Sequence, residues 1–193
     1  MTGRRGRRTA SADDGAANAG GAARLRPMVP ADLVDVIALE HELFPDDPWT
    51  PEMFAEEVAQ PRESRLYLLA EADAGDGGVA DSDIVSGHGA ASGNVMAGYA
   101  GMMFIPGGRQ ADVLTIAVRQ AYWGRGIGSA LLSALLTAAR ERGCAEVFLE
   151  VRADNPRAHG LYLRRGFKDL GLRRGYYQPS GTDAIVMRKD LLR

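Results

Sequence analysis

Three glycines stand within five positions, directly before a helical pattern, in the stretch WGRGIGSALL (residues 123–132). Each glycine costs up to about 1 kcal/mol relative to alanine inside a helix, so the bare backbone here needs a reason. The N–H groups that open a helix bind anions well, because the helix dipole places partial positive charge there. Gly124, Gly126 and Gly128 therefore predict a phosphate-binding loop.

The kind of phosphate ligand can be narrowed from what surrounds the glycines. A nucleoside triphosphate loop has a lysine followed by serine or threonine after its last glycine, and the only lysines are the distant Lys168 and Lys189. A dinucleotide loop has the pattern Gly-x-Gly-x-x-Gly/Ala. Neither way of placing the glycines puts a glycine or alanine last, which argues against a nicotinamide or flavin enzyme.

A longer stretch, IAVRQAYWGRGIGSALL, resembles the acetyl-coenzyme A motif of the GCN-five-related N-acetyltransferases, whose core is Arg/Gln-x-x-Gly-x-Gly/Ala. Trp123 stands where that family has arginine or glutamine. Three further stretches, FPDDPWT, LEVRADNPRAHGLYLRRGF and RRGYYQPSGTDAIVM, resemble the ribosomal-protein-alanine acetyltransferases (RimI-like) and their N-terminal acetyltransferase relatives. The resemblance covers roughly residues 24–191.

This resemblance implies acetyl-coenzyme A as the co-substrate. Its pyrophosphate would lie on the main chain of the glycine loop, and its pantetheine arm would pair with β-strand backbone like an added strand. An asparagine side chain would lie against that arm. The residues expected to bind the co-substrate are Ile116, Ala117, Val118, Gly124, Arg125, Gly126, Ile127, Gly128, Ser129 and Asn155.

Glu150 is the candidate general base. In the strand AEVFLEVR the apolar Val147, Leu149 and Val151 alternate toward the core, which leaves Glu150 on the opposite face, near the carboxyl end of the strand. A carboxylate there could take a proton from an amine directly or through one water. The resemblance places the base at the same position. A surface glutamate paired with Arg152 is the alternative.

Tyr162 is the candidate general acid. It follows Asn155 by seven positions, two turns along one helical face. Its phenol has a reference pKa near 10 and could protonate a leaving thiolate, the role that the resemblance implies. A core aromatic is the alternative. Asn155 stands just before Pro156 and also suits a helix N-cap, worth about 0.5–2 kcal/mol.

Aromatic residues near the two ends of the matched region are candidates for binding the acceptor. By the resemblance, Tyr176 and Tyr177 fall in a loop between the last two strands and hold the first residue of a peptide. Phe44, with Trp49, could form the opposite wall. Packing roles for all four remain open from the sequence.

The elements that must position these residues form an α/β pattern. Residues 111–152 read as a βαβ unit with two parallel strands, inside an otherwise mostly antiparallel sheet with about four helices. The strands are expected near residues 24–28, 65–72, 94–105, 111–118, 145–152, 167–173 and 182–190, and the helices near 30–44, 50–58, 126–142 and 155–165.

Length and composition favour one domain. The chain has 193 residues, of which 46% are hydrophobic, enough for a substantial core over residues 23–193. Residues 1–22 contain no large apolar side chain after Met1 and are expected to be a disordered tail. Residues at about 73–94 are expected to form a long polar loop.

Several function classes are disfavoured. No stretch of eighteen apolar residues exists, so we expect no membrane span. His41, His88 and His159 lack the spacing of metal ligands, so we expect no metal. The net charge of −2 argues against direct binding of nucleic acid. A single cysteine, Cys144, suits a reducing, cytoplasmic location.

Charge is uneven along the chain and bears on the acceptor. Residues 31–83 hold fifteen Asp or Glu against two arginines, and residues 119–193 hold fourteen Arg or Lys against seven acidic residues. With the resemblance, this predicts transfer to the N-terminal alanine of a basic protein, small-subunit ribosomal protein eighteen. Acetylation of a small-molecule amine or a lysine, or a non-catalytic regulator that binds acetyl-coenzyme A, are the alternatives.

Overall fold

The computed structural model describes residues 23–45, 48–73 and 94–192. The expected disordered tail (1–22) and residues 74–93 of the expected polar loop lie outside these ranges. The described elements are the strands β1 (Arg24–Pro27), β2 (Arg65–Asp73), β3 (Asn94–Phe104), β4 (Gln110–Val118), β5 (Glu146–Arg152), β6 (Lys168–Tyr177) and β7 (Thr182–Asp190), and the helices α1 (Leu33–Leu43), α2 (Pro51–Val58), α3 (Ile127–Glu141) and α4 (Pro156–Arg164).

The seven described strands form one mixed sheet in the order β1-β2-β3-β4-β5-β7-β6. All neighbours are antiparallel except β4 and β5, which are parallel and joined through α3. The predicted α/β class, with one parallel βαβ unit in a mostly antiparallel sheet, is confirmed.

The parallel pair separates after four positions. Residues 110–113 of β4 pair with residues 146–149 of β5, and beyond this point each strand pairs only with its other neighbour. In β4 the register against β3 shifts between Thr115 and Val113, so Leu114 is a bulged residue. The sheet therefore opens into a cleft at the carboxyl ends of β4 and β5.

The helices cover both faces of the sheet. On one face, a cluster that includes Leu131 and Leu135 of α3, Tyr162 of α4 and Val147 of β5 is buried. The second cluster lies under α1 and α2 and joins Val36, Leu39, Phe54, Tyr67, Leu69 and Tyr99. Alternation of side chains along β2 supplies both clusters, as expected for a sheet that is packed on both sides.

The last hairpin differs from its prediction. Tyr176 and Tyr177 were expected in a loop, but β6 continues through them to residue 177. The register against β7 is irregular between Arg173 and Tyr177, and Gly175 within this stretch has φ of 61°. Its N–H donates to Asp183 Oδ1 at 2.8 Å, so a side chain replaces a ladder acceptor and the strand continues.

Candidate active site

The glycine loop has the backbone that its sequence requires. Gly124 and Gly126 both have φ of 80°, a left-handed conformation that other residues rarely adopt, and Gly126 is the N-cap of α3. A Cβ at either position would meet no atom within 4 Å, so backbone conformation, not crowding, accounts for these two glycines. Gly128 differs: its Cβ would lie 3.6 Å from Leu161 and 3.7 Å from Val118, in ordinary contact.

A groove of about 720 Å³ runs from this loop between β4 and α4, and we call it the glycine groove. Nine of the ten residues predicted to bind the co-substrate line it. The tenth, Arg125, does not, and its guanidinium lies 5.2 Å from the ring centroid of Tyr122. The lining residues that carry the prediction are Ile116, Ala117, Val118, Gly124, Gly126, Ile127, Gly128, Ser129 and Asn155.

Positive charge lines the same groove. Arg157, Arg164 and Arg165 of α4 and its end reach it, and Arg165 donates to Ser129 Oγ and, at 2.7 Å, to Ser133 Oγ on α3. Amide donors at a helix N-terminus beside guanidinium groups suit a ligand with a pyrophosphate. These arginines did not enter the prediction because their part in the groove depends on α4 packing beside α3.

Trp123, the departure from the family motif, lies at the mouth of the glycine groove. Its indole Nε1 donates to the carbonyl of Val118 at 2.6 Å, and the guanidinium of Arg157 lies 4.1 Å from its ring centroid. The side chain is 44% exposed. Trp123 thus connects the end of β4 to the start of α4, and its indole occupies the Val118 carbonyl, which belongs to the backbone that the family resemblance assigns to the pantetheine arm.

A second cavity, of about 510 Å³, opens from the glycine groove toward α1 and the β6–β7 hairpin. We call it the carboxylate cavity, because Glu40, Glu150 and Asp154 line it. The two spaces meet where the strands separate, and they share the residues Leu43, Phe44, Ile116, Trp123, Asn155, Ala158 and Tyr162.

Glu150 lines the carboxylate cavity from the carboxyl end of β5. Its Oε1 pairs with Nη1 of Arg173 on β6 at 3.0 Å. The alternative partner considered from sequence, Arg152, pairs instead with Asp154 at 2.9 Å. Glu150 also affects Asp112 on β4, because burial and the neighbouring negative charge of Glu150 raise the pKa of Asp112 above its usual value.

Tyr162 lies at the junction of the two spaces. Its side chain is 7% exposed and its ring meets Phe167 edge-on, with 5.8 Å between centroids. Burial raises the pKa of the Tyr162 phenol well above its usual value, so the phenol is protonated at neutral pH. Seven residues earlier, Asn155 Oδ1 accepts a hydrogen bond from the Ala158 N–H at 3.0 Å, which makes it the N-cap of α4.

Of the aromatic residues predicted to bind the acceptor, all but Tyr176 line the carboxylate cavity. Phe44 and Tyr177 line the carboxylate cavity, as does Trp49. Tyr176 does not: it is 45% exposed and packs edge-on against Tyr177 at 5.1 Å between centroids. The difference follows from β6, because neighbouring residues of a strand point to opposite faces.

Glu40 is a residue of the cavity that no sequence motif indicated. It lies on α1, is 4% exposed and lines the carboxylate cavity. Its Oε1 accepts the Trp49 N–H at 3.0 Å, and its Oε2 accepts the hydroxyl of Tyr99 on β3. A signal was present, because Glu40 is the charged residue on the apolar face of the α1 pattern.

Within residues 23–45, 48–73 and 94–192, no three His, Cys, Asp or Glu side chains are grouped so that they could hold a metal ion. Among the helices formed by these residues, none is long and apolar enough to cross a membrane.

Comparison with known proteins gives a consistent result. The acetyltransferase (GNAT) family profile matches residues 34–167. The chain is 41% identical over 165 residues to the N-alpha-acetyltransferase RimI of Mycobacterium tuberculosis, covering 83% of this chain and 87% of that protein. It is also 41% identical over 80 residues to the ribosomal protein bS18-alanine N-acetyltransferase of Escherichia coli K12, covering 40% and 54% of the two chains.

Solved structures agree in fold. The crystal structure of the ribosomal-protein-S18-alanine N-acetyltransferase from Escherichia coli superposes with a TM-score of 0.65 and 27% identity, covering 89% of this chain and 95% of that one. Arabidopsis thaliana NAA60 in complex with acetyl-CoA gives a TM-score of 0.68 at 20% identity, over 87% and 98% of the two chains.

Proposed function

The chain belongs to the GNAT family of acetyltransferases, and we propose that it transfers the acetyl group of acetyl-coenzyme A to the N-terminal α-amine of a protein. The acceptor proposed is the N-terminal alanine of small-subunit ribosomal protein eighteen, in the cytoplasm. The names of its relatives from Mycobacterium tuberculosis and Escherichia coli support this acceptor class.

The observation that carries the proposal is the junction of the two spaces. The glycine groove offers amide donors and arginines to an anionic co-substrate, and the carboxylate cavity offers negative charge to a cationic amine. They meet between the separated strands, where Tyr162 lies on both. A thioester that enters from one side and an amine that enters from the other would meet there, which is the requirement for direct transfer.

Glu150 is proposed as the base. An α-ammonium has a reference pKa of about 7.7–8.0, so its deprotonation near neutral pH costs little. Glu150 takes this proton, directly or through one water, and the neutral amine attacks the thioester carbonyl carbon. A new C–N bond forms as the C–S bond breaks. The backbone of Ile116, Ala117 and Val118 holds the pantetheine arm and polarises that carbonyl.

Tyr162 is proposed as the acid. The sulfur leaves with the bonding electron pair and takes the phenolic proton, which yields free coenzyme A. The proton lost from nitrogen as the amide forms restores the phenol, and Glu150 passes the proton that it took from the ammonium to water, so bonds and protons balance. The phenol of Tyr162 carries its proton at neutral pH, and burial raises its pKa further.

The acceptor is tested by competition between two peptides of the same sequence. One begins with a free alanine amine, and the other is blocked there and carries an internal lysine. We expect the enzyme to acetylate the free α-amine and to leave the blocked peptide essentially unmodified, as mass spectrometry would show.

Three outcomes would contradict the proposal. Faster modification of the blocked peptide would assign the enzyme to lysine side chains. Activity on neither peptide, with rapid acetylation of a polyamine or an aminoglycoside, would assign it to small-molecule amines. Coenzyme A binding without transfer to any of these amines would favour the non-catalytic regulator.

A further inference from the structure

The carboxylate cavity contains two acidic side chains that the proposed chemistry does not use, the exposed Asp154 and the buried Glu40. Glu40 lines this cavity although it is 4% exposed. A charged carboxylate in such a position costs several kcal/mol unless hydrogen bonds support it. Its retention beside the space proposed for the amine indicates a role in binding.

Two hydrogen bonds support the carboxylate group of Glu40. Its oxygens accept the Trp49 N–H at 3.0 Å and the hydroxyl of Tyr99. Burial and the charge of Glu40 raise the pKa of Tyr99, so this hydroxyl keeps its proton and donates it. Both of these donors, a backbone N–H and a phenol, are neutral groups.

The other carboxylates of the cavity are arranged differently. Glu150 pairs with Arg173 at 3.0 Å, and Asp154 pairs with Arg152 at 2.9 Å. Each lies on the rim formed by β5 and the segment that follows it, whereas Glu40 lies on α1, across the cavity. A buried charge is screened less by water and salt than an exposed one, so Glu40 acts on the cavity over a longer range.

We propose that Glu40 is a specificity-determining residue that makes the carboxylate cavity select acceptors with a positively charged terminal amine. This inference rests on the proposed function and extends it. Glu40 binds the ammonium form electrostatically, and Glu150 then removes the proton. Since the amide product is neutral, the same charge favours release of the product over rebinding.

The test is the variant Glu40→Gln in the full-length enzyme. Glutamine has the same shape, its Oε1 accepts the Trp49 N–H, and its Nε2 faces a hydroxyl that can also accept. Calorimetry measures binding of a short peptide that begins with alanine, and of its N-acetylated form, to the enzyme saturated with coenzyme A. We expect affinity for the free-amine peptide to fall about tenfold, or about 1.4 kcal/mol, and affinity for the acetylated peptide to stay within twofold.

Kinetics give a second readout. In Glu40→Gln, KM for the peptide should rise about tenfold while kcat does not fall, because the interaction lost is with the ground-state ammonium. The matched control is Glu42→Gln, which removes one negative charge from the exposed side of the same helix, where Glu42 pairs with Arg119 at 2.8 Å. It should leave both peptide affinities and the kinetics unchanged.

The variant Tyr99→Phe distinguishes the effect of the Glu40 charge from the effect of the hydrogen bond that Tyr99 donates to it. It keeps the carboxylate and removes one of its hydrogen bonds, so it should keep the preference for the free amine even if thermal stability falls. Equal weakening of both peptides in Glu40→Gln, or loss of the preference in Tyr99→Phe, would show that Glu40 only supports the wall formed by Trp49. If the wild-type enzyme acetylated no peptide, the proposed function itself would be contradicted, independently of Glu40.

Discussion

The glycine groove and the carboxylate cavity are built in opposite ways. The groove comes mostly from one continuous stretch, residues 116–129, and presents main-chain groups. The cavity collects side chains from α1, the segment after it, β4, β5 and the β6–β7 hairpin, which are far apart along the chain. The co-substrate side of this enzyme is therefore formed mostly by residues that are close together in the sequence. The acceptor side is formed by residues that only the folded chain brings together.

The largest effect should come from the proposed base, Glu150, which lines the carboxylate cavity. We expect Glu150→Gln to lower kcat about 10²-fold, the scale of a lost general base, with the affinity for acetyl-coenzyme A unchanged. Steady-state kinetics and calorimetry check this. The matched control, Glu146→Gln, lies four residues earlier on the same strand, where Glu146 pairs with Arg188 at 3.1 Å. Wild-type turnover in Glu150→Gln would mean that another group carries the proton.

A substitution in the glycine loop should weaken binding of the co-substrate. Gly128→Glu places a like charge beside the proposed pyrophosphate in an ordinary helical backbone, so we expect acetyl-coenzyme A affinity to fall more than tenfold, at least about 1.4 kcal/mol. Gly128→Ala is the control, since its Cβ would make only ordinary contacts at 3.6 and 3.7 Å. If folded Gly128→Glu bound acetyl-coenzyme A with unchanged affinity, the pyrophosphate would not bind at this loop.

Trp123 offers a gain of affinity. Trp123→Phe keeps a ring beside Arg157 but frees the Val118 carbonyl from the indole N–H. If the pantetheine arm uses that carbonyl, affinity for coenzyme A should rise about fivefold, because one net hydrogen bond is worth about 1 kcal/mol. Weaker binding would show that the indole itself contacts the ligand.

The smallest effect concerns stability beneath the acceptor side. Burial and Glu150 raise the pKa of Asp112 in the folded state, so its ionised form destabilises the fold at neutral pH. We expect Asp112→Asn to raise Tm slightly at pH 7. This advantage should shrink as the pH falls through the raised pKa, because the folded wild type then protonates Asp112 and loses the penalty. A Tm difference that does not depend on pH would contradict this origin.

The acceptor side also shows where sequence reasoning stopped. Glu150 and Tyr162 were identified because each has a recognisable place on its own element, and the structure sets both on the carboxylate cavity. Arg173, the partner of Glu150, was not foreseen, since it lies on β6 and reaches Glu150 only because β7 brings the two strands into one sheet. Sequence reasoning assigned Tyr176 and Tyr177 the same role. Because β6 continues through both, only Tyr177 lines the carboxylate cavity, and Tyr176 points to the other face.

By itself, the sequence determined the features that depend on short-range geometry. These are the glycine loop before α3, the N-cap at Asn155, the alternation in β5 and the α/β order of elements. Each follows from backbone sterics or from the period of a single element, so neighbouring residues suffice to predict it.

Only the tertiary structure decided where β4 and β5 separate, which partner each carboxylate takes and that Glu40 is buried beside the acceptor space. The bulge at Leu114 is a matter of pairing between strands, and the hydrogen bond from Tyr99 to Glu40 joins residues 59 positions apart. Such contacts depend on the packing of several elements at once, because no period within one element records which residue of another will face it.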